Sequence, residues 1–233
     1  MITFDYTYRK YKSLSMPNSE YLSMFPLGIV TYPTVRLNLH IFEERYRELV
    51  KDAINNDINF GIVPVLEGGK MQEIGTEMKL INIETTYDDG RMDIKTRGIR
   101  RFKINSYHQN YNGKLYDAAN VEFLETTYNA DPELYQVIID QIQMLFDIFD
   151  IDKKLPPITE TLTAYNLVPH AALNIDQEIQ FIGIDEEEER QLFIVEHLND
   201  FIPKAREMEE MRVKVQLNGH FRNRLPPDLK EYP

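Results

Sequence analysis

Between Met24 and Val50 the chain reads MFPLGIVTYPTVRLNLHIFEERYRELV. An apolar stretch holding Pro26 and Pro33 runs through a polar bend into an amphipathic segment. Proline cannot donate to a sheet ladder, so these two residues mark strand ends or edges. The segment after them predicts a helix over about Ile41–Asn56. Phe42, Tyr46, Leu49, Val50, Ala53 and Ile54 recur at helical spacing and define one buried face. Glu43, Glu44, Arg45, Arg47, Glu48 and Lys51 cover the other side. Asn55-Asn56-Asp57 supplies residues that end helices and accept left-handed geometry. His40 falls at the expected helix entrance, where a capping role outweighs a catalytic one.

This helix is embedded in a β-rich unit. Turn signals at Gly68-Gly69, Asp89-Gly90 and Asn112-Gly113 each lie between strand-like runs. After the second, Met92, Ile94 and Thr96 alternate with Arg91, Asp93, Lys95 and Arg97 at a period of two. Even spacing of the hairpins suggests a small antiparallel barrel or a strongly curved sheet. At Asp131-Pro132-Glu133 the character changes, with a capping Asp, a Pro at the first helical position and an acid in the first turn. That helix runs to about Phe149, with Leu134, Val137, Ile138, Ile142, Leu145 and Phe146 inward. Further helices are expected over Ile158–Leu167, over Ile175–Ile182 between Asn174 and Gly183, and from near Asp185 to Leu217. Pro203 is expected to kink or break the last of them. The reading is an α+β chain: residues 20–127 form an antiparallel β-barrel with one embedded helix. Residues 131–218 form an α-helical bundle ending in a long helix, and residues 1–19 and 220–233 are flexible tails.

A length of 233 residues suits one large domain or two small ones sharing an interface. No apolar run approaches the roughly 18 residues of a membrane helix, which argues against a membrane partner. The first fifteen residues carry Arg9, Lys10 and Lys12 without an apolar block behind them, so no secretory signal is expected and a cytoplasmic location is favoured. Met16 is an alternative start to Met1. With no cysteine, disulfides, thiolate metal sites and cysteine nucleophiles are excluded. The net charge of −12 disfavours nucleic acid on average but leaves room for a local basic patch.

Motifs for catalysis are missing. Gly69-Lys70 and Gly113-Lys114 are followed by Met71 and Leu115, so neither forms a phosphate loop. The serines at 13, 15, 19, 23 and 106 lie in no glycine-flanked elbow. His40, His108, His170, His197 and His220 are scattered, and Glu196-His197 reads as a solvated helix face. Acids in Asp185–Glu189 suit the positive end of a helix better than a cation. The basic strip Arg91–Lys103 (Arg91, Lys95, Arg97, Arg100, Arg101, Lys103) offers phosphate contacts, with Phe102 and Tyr107 for stacking. Its competing and favoured reading is a strand with charges outward, a glycine bend and a second strand. No catalytic, cofactor or metal residue emerges, and no cofactor is expected.

Several ordered motifs resemble the N-terminal substrate-binding domain of Lon-type proteases. They are Phe25-Pro26-Leu27-Gly28, Tyr32-Pro33, Leu37 to Glu43 and Arg45-Tyr46, then Phe60-Gly61-Ile62-Val63, Ile74-Gly75-Thr76, Asp89-Gly90-Arg91 and Gly98-Ile99-Arg100-Arg101-Phe102. The likeness is strong over about 20–125 and looser beyond. It implies a PUA-like β-barrel (the pseudouridine-synthase and archaeosine-transglycosylase type) followed by a helical bundle, in a stand-alone form without ATPase or protease modules. It implies a non-catalytic module for protein quality control that works without ATP. Its partners would be unfolded or partly folded protein segments, with a separate protease or chaperone as a further partner. Binding is expected through apolar surface near the junction of the two halves. An RNA-binding protein using the basic strip is the second reading, and an unrecognised hydrolase the third.

Overall fold

The computed structural model describes residues 19–222, built as six strands and five α-helices. Strands β1 (Ser19–Leu27), β2 (Arg36–Ile41), β3 (Phe60–Pro64), β4 (Ile74–Thr86), β5 (Met92–His108) and β6 (Asp117–Phe123) pair in the order β2-β5-β4-β3-β1-β6. β6 also returns to β5, so the pairings close a ring. Only β1 and β3 run parallel, and the crossover that a parallel pair requires holds β2 and helix α1 (Glu44–Asn55). The remaining helices, α2 (Pro132–Ile148), α3 (Ala164–Leu167), α4 (Ile175–Ile182) and α5 (Glu187–Arg222), follow the last strand. The chain is thus α+β, with strands first and a long helix last.

β5 serves β2 through Met92–Arg97 and β6 through Phe102–His108, and between these stretches its register with β4 is irregular just past Gly98. A Cβ there would lie 2.8 Å from the carbonyl carbon of Tyr32 and closer still to its oxygen, so only glycine lets residues 32–35 cross the strand. Thr34 N–H donates to the Gly98 carbonyl (2.9 Å), and Gly98 N–H to that of Val35 (3.0 Å). Gly75 admits the Ile62 carbonyl in the same way. The turn residues behave as their types suggest, with φ of 84° at Gly90, 75° at Gly113 and 48° at Asp57.

α1 buries Tyr46, Leu49, Val50 and Ala53 against Ile41, Phe60, Ile62, Met78, Met92 and Ile94, and Tyr46 stacks on Phe25 at 3.8 Å. Each of the larger side chains contributes about 1.5–3 kcal/mol by leaving water. Two members of the expected face are not buried: Phe42 is 61% exposed and Ile54 48%. β2 continues to Ile41, so Phe42 falls between elements, outside the helical period, and Ile54 sits at the far end of the helix where the sheet no longer covers it. His40 likewise belongs to β2, and no side chain caps α1.

The helical portion is organised by its caps. Asp131 accepts from Glu133 N–H (2.9 Å) ahead of Pro132, and α2 buries Tyr135, Ile138, Ile142, Leu145 and Phe146. Val137, expected inward, is exposed, and Leu134 is only half-buried. Asn174 and Gln177 form a reciprocal capping box on α4. The helix expected over Ile158–Leu167 shrinks to Ala164–Leu167, followed by a 3-10 turn, because Pro156-Pro157 holds the preceding backbone extended and Thr163 opens the helix later. α5 runs unbroken through Pro203 and past Leu217. Pro203 and Asn199, whose carbonyl loses its amide partner, are both exposed, so water can serve that oxygen. The expected tails fall mainly outside the described residues. α2 and α5 run side by side in the same direction, with Asp131 bonded to Gln191, Gln141 to Asn199, and Ile148 beside Val213.

Buried polar groups join strands to helices. The Arg101 guanidinium, fully buried, donates to the carbonyls of Ile182 (3.0 Å), Ile184 (2.8 Å) and Glu125 (2.7 Å) and to the Asp185 carboxylate (2.8 Å). Next to it Arg190 donates twice to Glu187 (2.9 and 2.7 Å) and once to the Ile184 carbonyl (2.7 Å), while lying over the Tyr165 ring. Glu187 also accepts from the Tyr135 hydroxyl (2.7 Å) and the Ala164 amide. Burial, then this bond to Glu187, pushes the Tyr135 phenol far up. Tyr32 packs edge-on against Phe181 at 5.6 Å, carrying the β1–β2 connection into the same cluster.

His197 is half-buried rather than on a solvated face. Its Nε2–H donates to the Ala171 carbonyl (3.0 Å) and its Nδ1 accepts from Gln177 (3.0 Å), an arrangement that requires the neutral ring. Burial holds its pKa, and that of His170, below the ordinary histidine value. The unfolded chain therefore binds these protons more readily, so their contribution is complete above about pH 6.5 and is lost as pH falls towards the folded values. Urea unfolding across this range is expected to show stability declining with acidification, and less steeply in His197→Gln. An unchanged slope in the variant would refute the assignment.

Candidate functional site

The basic strip does not form an open cationic surface. Arg91 pairs with Asp89 (2.7 Å), Lys95 with Glu84, Arg100 with Glu77 (2.6 Å) and Lys103 with Glu73 (3.5 Å). Arg97 donates to the Thr34 carbonyl (3.0 Å), and Arg100 also lies over the Phe123 ring at 3.3 Å. Arg101, expected outward with the others, is turned fully inward. All six cations have acceptors within the fold, and the stacking candidate Phe102 is buried.

Among the described residues the scattered polar groups sit in local pairings; Ser13, Ser15 and the His220 side chain lie outside the described part. Ser106 Oγ lies 2.9 Å from His108 Nε2, but both follow along one exposed stretch of β5 beside Tyr21 and Tyr111. His40 Nδ1 and the Tyr87 hydroxyl share the Asp93 carboxylate, each at 2.6 Å; the Tyr87 bond first, then His40, holds that carboxyl below its usual range. Within Asp185–Glu189, Asp185 serves Arg101, Glu187 serves Arg190, and Glu187 to Glu189 form the first turn of α5. Among the described residues no three metal-ligating side chains come together, and no helix is long and apolar enough to cross a membrane.

What the surface does offer is a groove of about 380 Å³ between the C-terminal turn of α1 and β4. Ala53, Ile54, Asp57, Ile58 and Asn59 form one wall, and the consecutive residues Lys79, Leu80, Ile81, Asn82 and Ile83 the other. Ile54, Ile58 and Ile81 are exposed, with Ile81 at 53%. The groove lies several residues along β4 from Ile74, which packs on the helical cluster, so this apolar surface is displaced from the buried polar junction. A second hollow, near 580 Å³, is lined by Ile148 and Val213 but also by Arg206, Glu209, Glu210 and Lys214. Sequence periodicity placed Ile54 inside and could not find the groove, because its two walls are distant in the chain and meet only through sheet pairing.

The arrangement is that of a mixed α+β binding module. Residues 21–199 match the family described as the ATP-dependent protease La (LON) substrate-binding domain. Similar folds occur in a Lon N-terminal domain protein from Xanthomonas campestris (22% identity, 73% of this chain and 94% of that one, TM-score 0.56) and in the N-terminal domain of the Lon protease of the Mycobacterium avium complex (15% identity, 78% and 99%, TM-score 0.57). The chain belongs to the Lon substrate-binding domain family.

Proposed function

We propose that this chain is a non-catalytic binder of unfolded or partly folded polypeptide segments, acting in protein quality control. It shields such segments as a holdase or passes them as an adaptor to a separate protease or chaperone, without ATP and in the cytoplasm. The observation that carries the reading is the groove between α1 and β4, with exposed Ile54, Ile58 and Ile81 on its walls, in a member of a substrate-binding family. Unfolded chains expose the apolar side chains such a groove takes up, and each contact is offset by the cost of ordering them. Affinity should accordingly be weak, on the order of micromolar.

The test is retention of chemically unfolded client proteins, compared with RNA, at low and high salt. Clients should be retained with little salt dependence, since apolar contact dominates. The double variant Ile54→Asp/Ile81→Asp should weaken retention about tenfold or more (roughly 1.4 kcal/mol per tenfold) while keeping the melting temperature, because both side chains are already exposed. Retention of RNA alone, lost at high salt, would overturn the proposal in favour of the basic strip.

A further inference from the structure

The groove has a wall that is the edge of a strand rather than the face of a sheet. β3 pairs with β4 only through Phe60–Ile62 opposite Thr76–Met78, yet β4 runs on to Thr86. Along Lys79–Thr86 its other side is occupied by β5, from Arg97 to Met92. The side facing α1 has no strand partner among the described residues. In a strand, successive side chains point to opposite faces, so a face would contribute alternate residues to a groove. Here five consecutive residues, Lys79 to Ile83, line it, in keeping with a wall made by the strand's edge and its irregular register at Ile81.

An open edge presents unpaired N–H and C=O groups and is a template for another strand. From this geometry we infer that the groove captures its polypeptide by strand addition: an extended segment pairs its backbone with β4 and places alternate side chains against Ile54, Ile58 and Ile81. The inference rests on the polypeptide-binding reading and specifies its mode. The register of β4 skips Ile81 and is irregular again between Ile83 and Thr85. Such bulges interrupt long pairing, so the occupant is a short segment rather than a matching edge from a second copy of this chain.

Charge narrows the occupant further. Asp57 lies on the α1 wall, and the last turn of α1, the negative end of the helix, carries no basic residue. Among the described residues lining the groove Asp57 is the one anion and Lys79, on the opposite wall, the one cation, and the chain as a whole carries −12. The segment that fits is an extended non-native stretch with apolar residues at i and i+2 and a Lys or Arg at the end nearer α1.

The experiment uses the full chain and a fluorescent peptide of about ten residues, with valine at alternate positions and lysine at one end. Two further versions carry N-methyl groups on one or the other alternating set of amides. Strand addition predicts that one set lowers affinity about tenfold or more while the other leaves it nearly unchanged, because only every second amide faces β4. Amide exchange at Lys79–Thr86 should slow when the parent peptide binds. Equal affinities for all three peptides, or equal loss in both methylated versions, would overturn strand addition while leaving polypeptide binding intact. Failure of both the peptide and unfolded clients to bind would overturn the function itself. Protection of Lys79–Thr86 that rises with protein concentration before any peptide is added would assign the edge to a second copy and also overturn the inference.

Discussion

Arg101→Ala is expected to lower the free energy of unfolding by about 3–5 kcal/mol, enough to leave a chain of ordinary stability largely unfolded at moderate temperature. The guanidinium is fully buried and satisfies three backbone carbonyls, those of Glu125, Ile182 and Ile184. Removing it takes this donor from the carbonyls of Ile182 and Glu125, while Ile184 keeps its bond from Arg190; each buried acceptor left unpaired carries a cost of about 1–3 kcal/mol. Lysine cannot rescue the site, because a single ammonium on a flexible stem does not reproduce a planar fork across acceptors on two elements. Asp185→Asn should be nearly neutral by comparison, since that side chain is 70% exposed and its charge is screened. Urea midpoints of the three variants check this. Equal losses for Arg101→Ala and Asp185→Asn would show that the ion pair, rather than carbonyl capture, is what matters.

Glu187→Ala should be as severe, again by about 3–5 kcal/mol, by a different route. Here the residue lost is the partner of a fully buried cation, and Arg190 would remain under the protein with one carbonyl and the Tyr165 ring for company. The Tyr135 hydroxyl and the Ala164 amide lose an acceptor as well, so α2, α3 and α5 loosen together. The double variant Glu187→Ala/Arg190→Leu should recover much of the loss, because apolar replacement of a whole buried pair is often neutral. A double variant no more stable than Glu187→Ala would contradict this account.

The parts of the fold that could be read from sequence are those whose causes are local. Asp131-Pro132 and Asn174 opened α2 and α4 where expected, since a cap is formed by residues within one turn of each other. The glycine read as a bend in the basic strip, Gly98, stands where the Tyr32 backbone crosses β5. Non-local causes stayed hidden. Arg101 sits in a strip whose charges alternate with apolar residues, and its inward turn depends on carbonyls 24 to 83 residues away. Phe42 obeyed the helical period on paper, but β2 claimed the residues just before it. The groove combines both difficulties: its apolar residues look like core in sequence, and the edge beside them exists only because β3 stops pairing at Phe60.

Closure of the ring carries a consequence for biosynthesis. The first described strand waits for the last: Ser19 pairs with Glu122, and β6 must slot between β1 and β5 before the ring closes. Arg101 then waits further, for acceptors at Ile182 and Ile184. So much long-range pairing makes folding slow and cooperative, and a nascent chain on the ribosome cannot close its sheet until β6 has been translated.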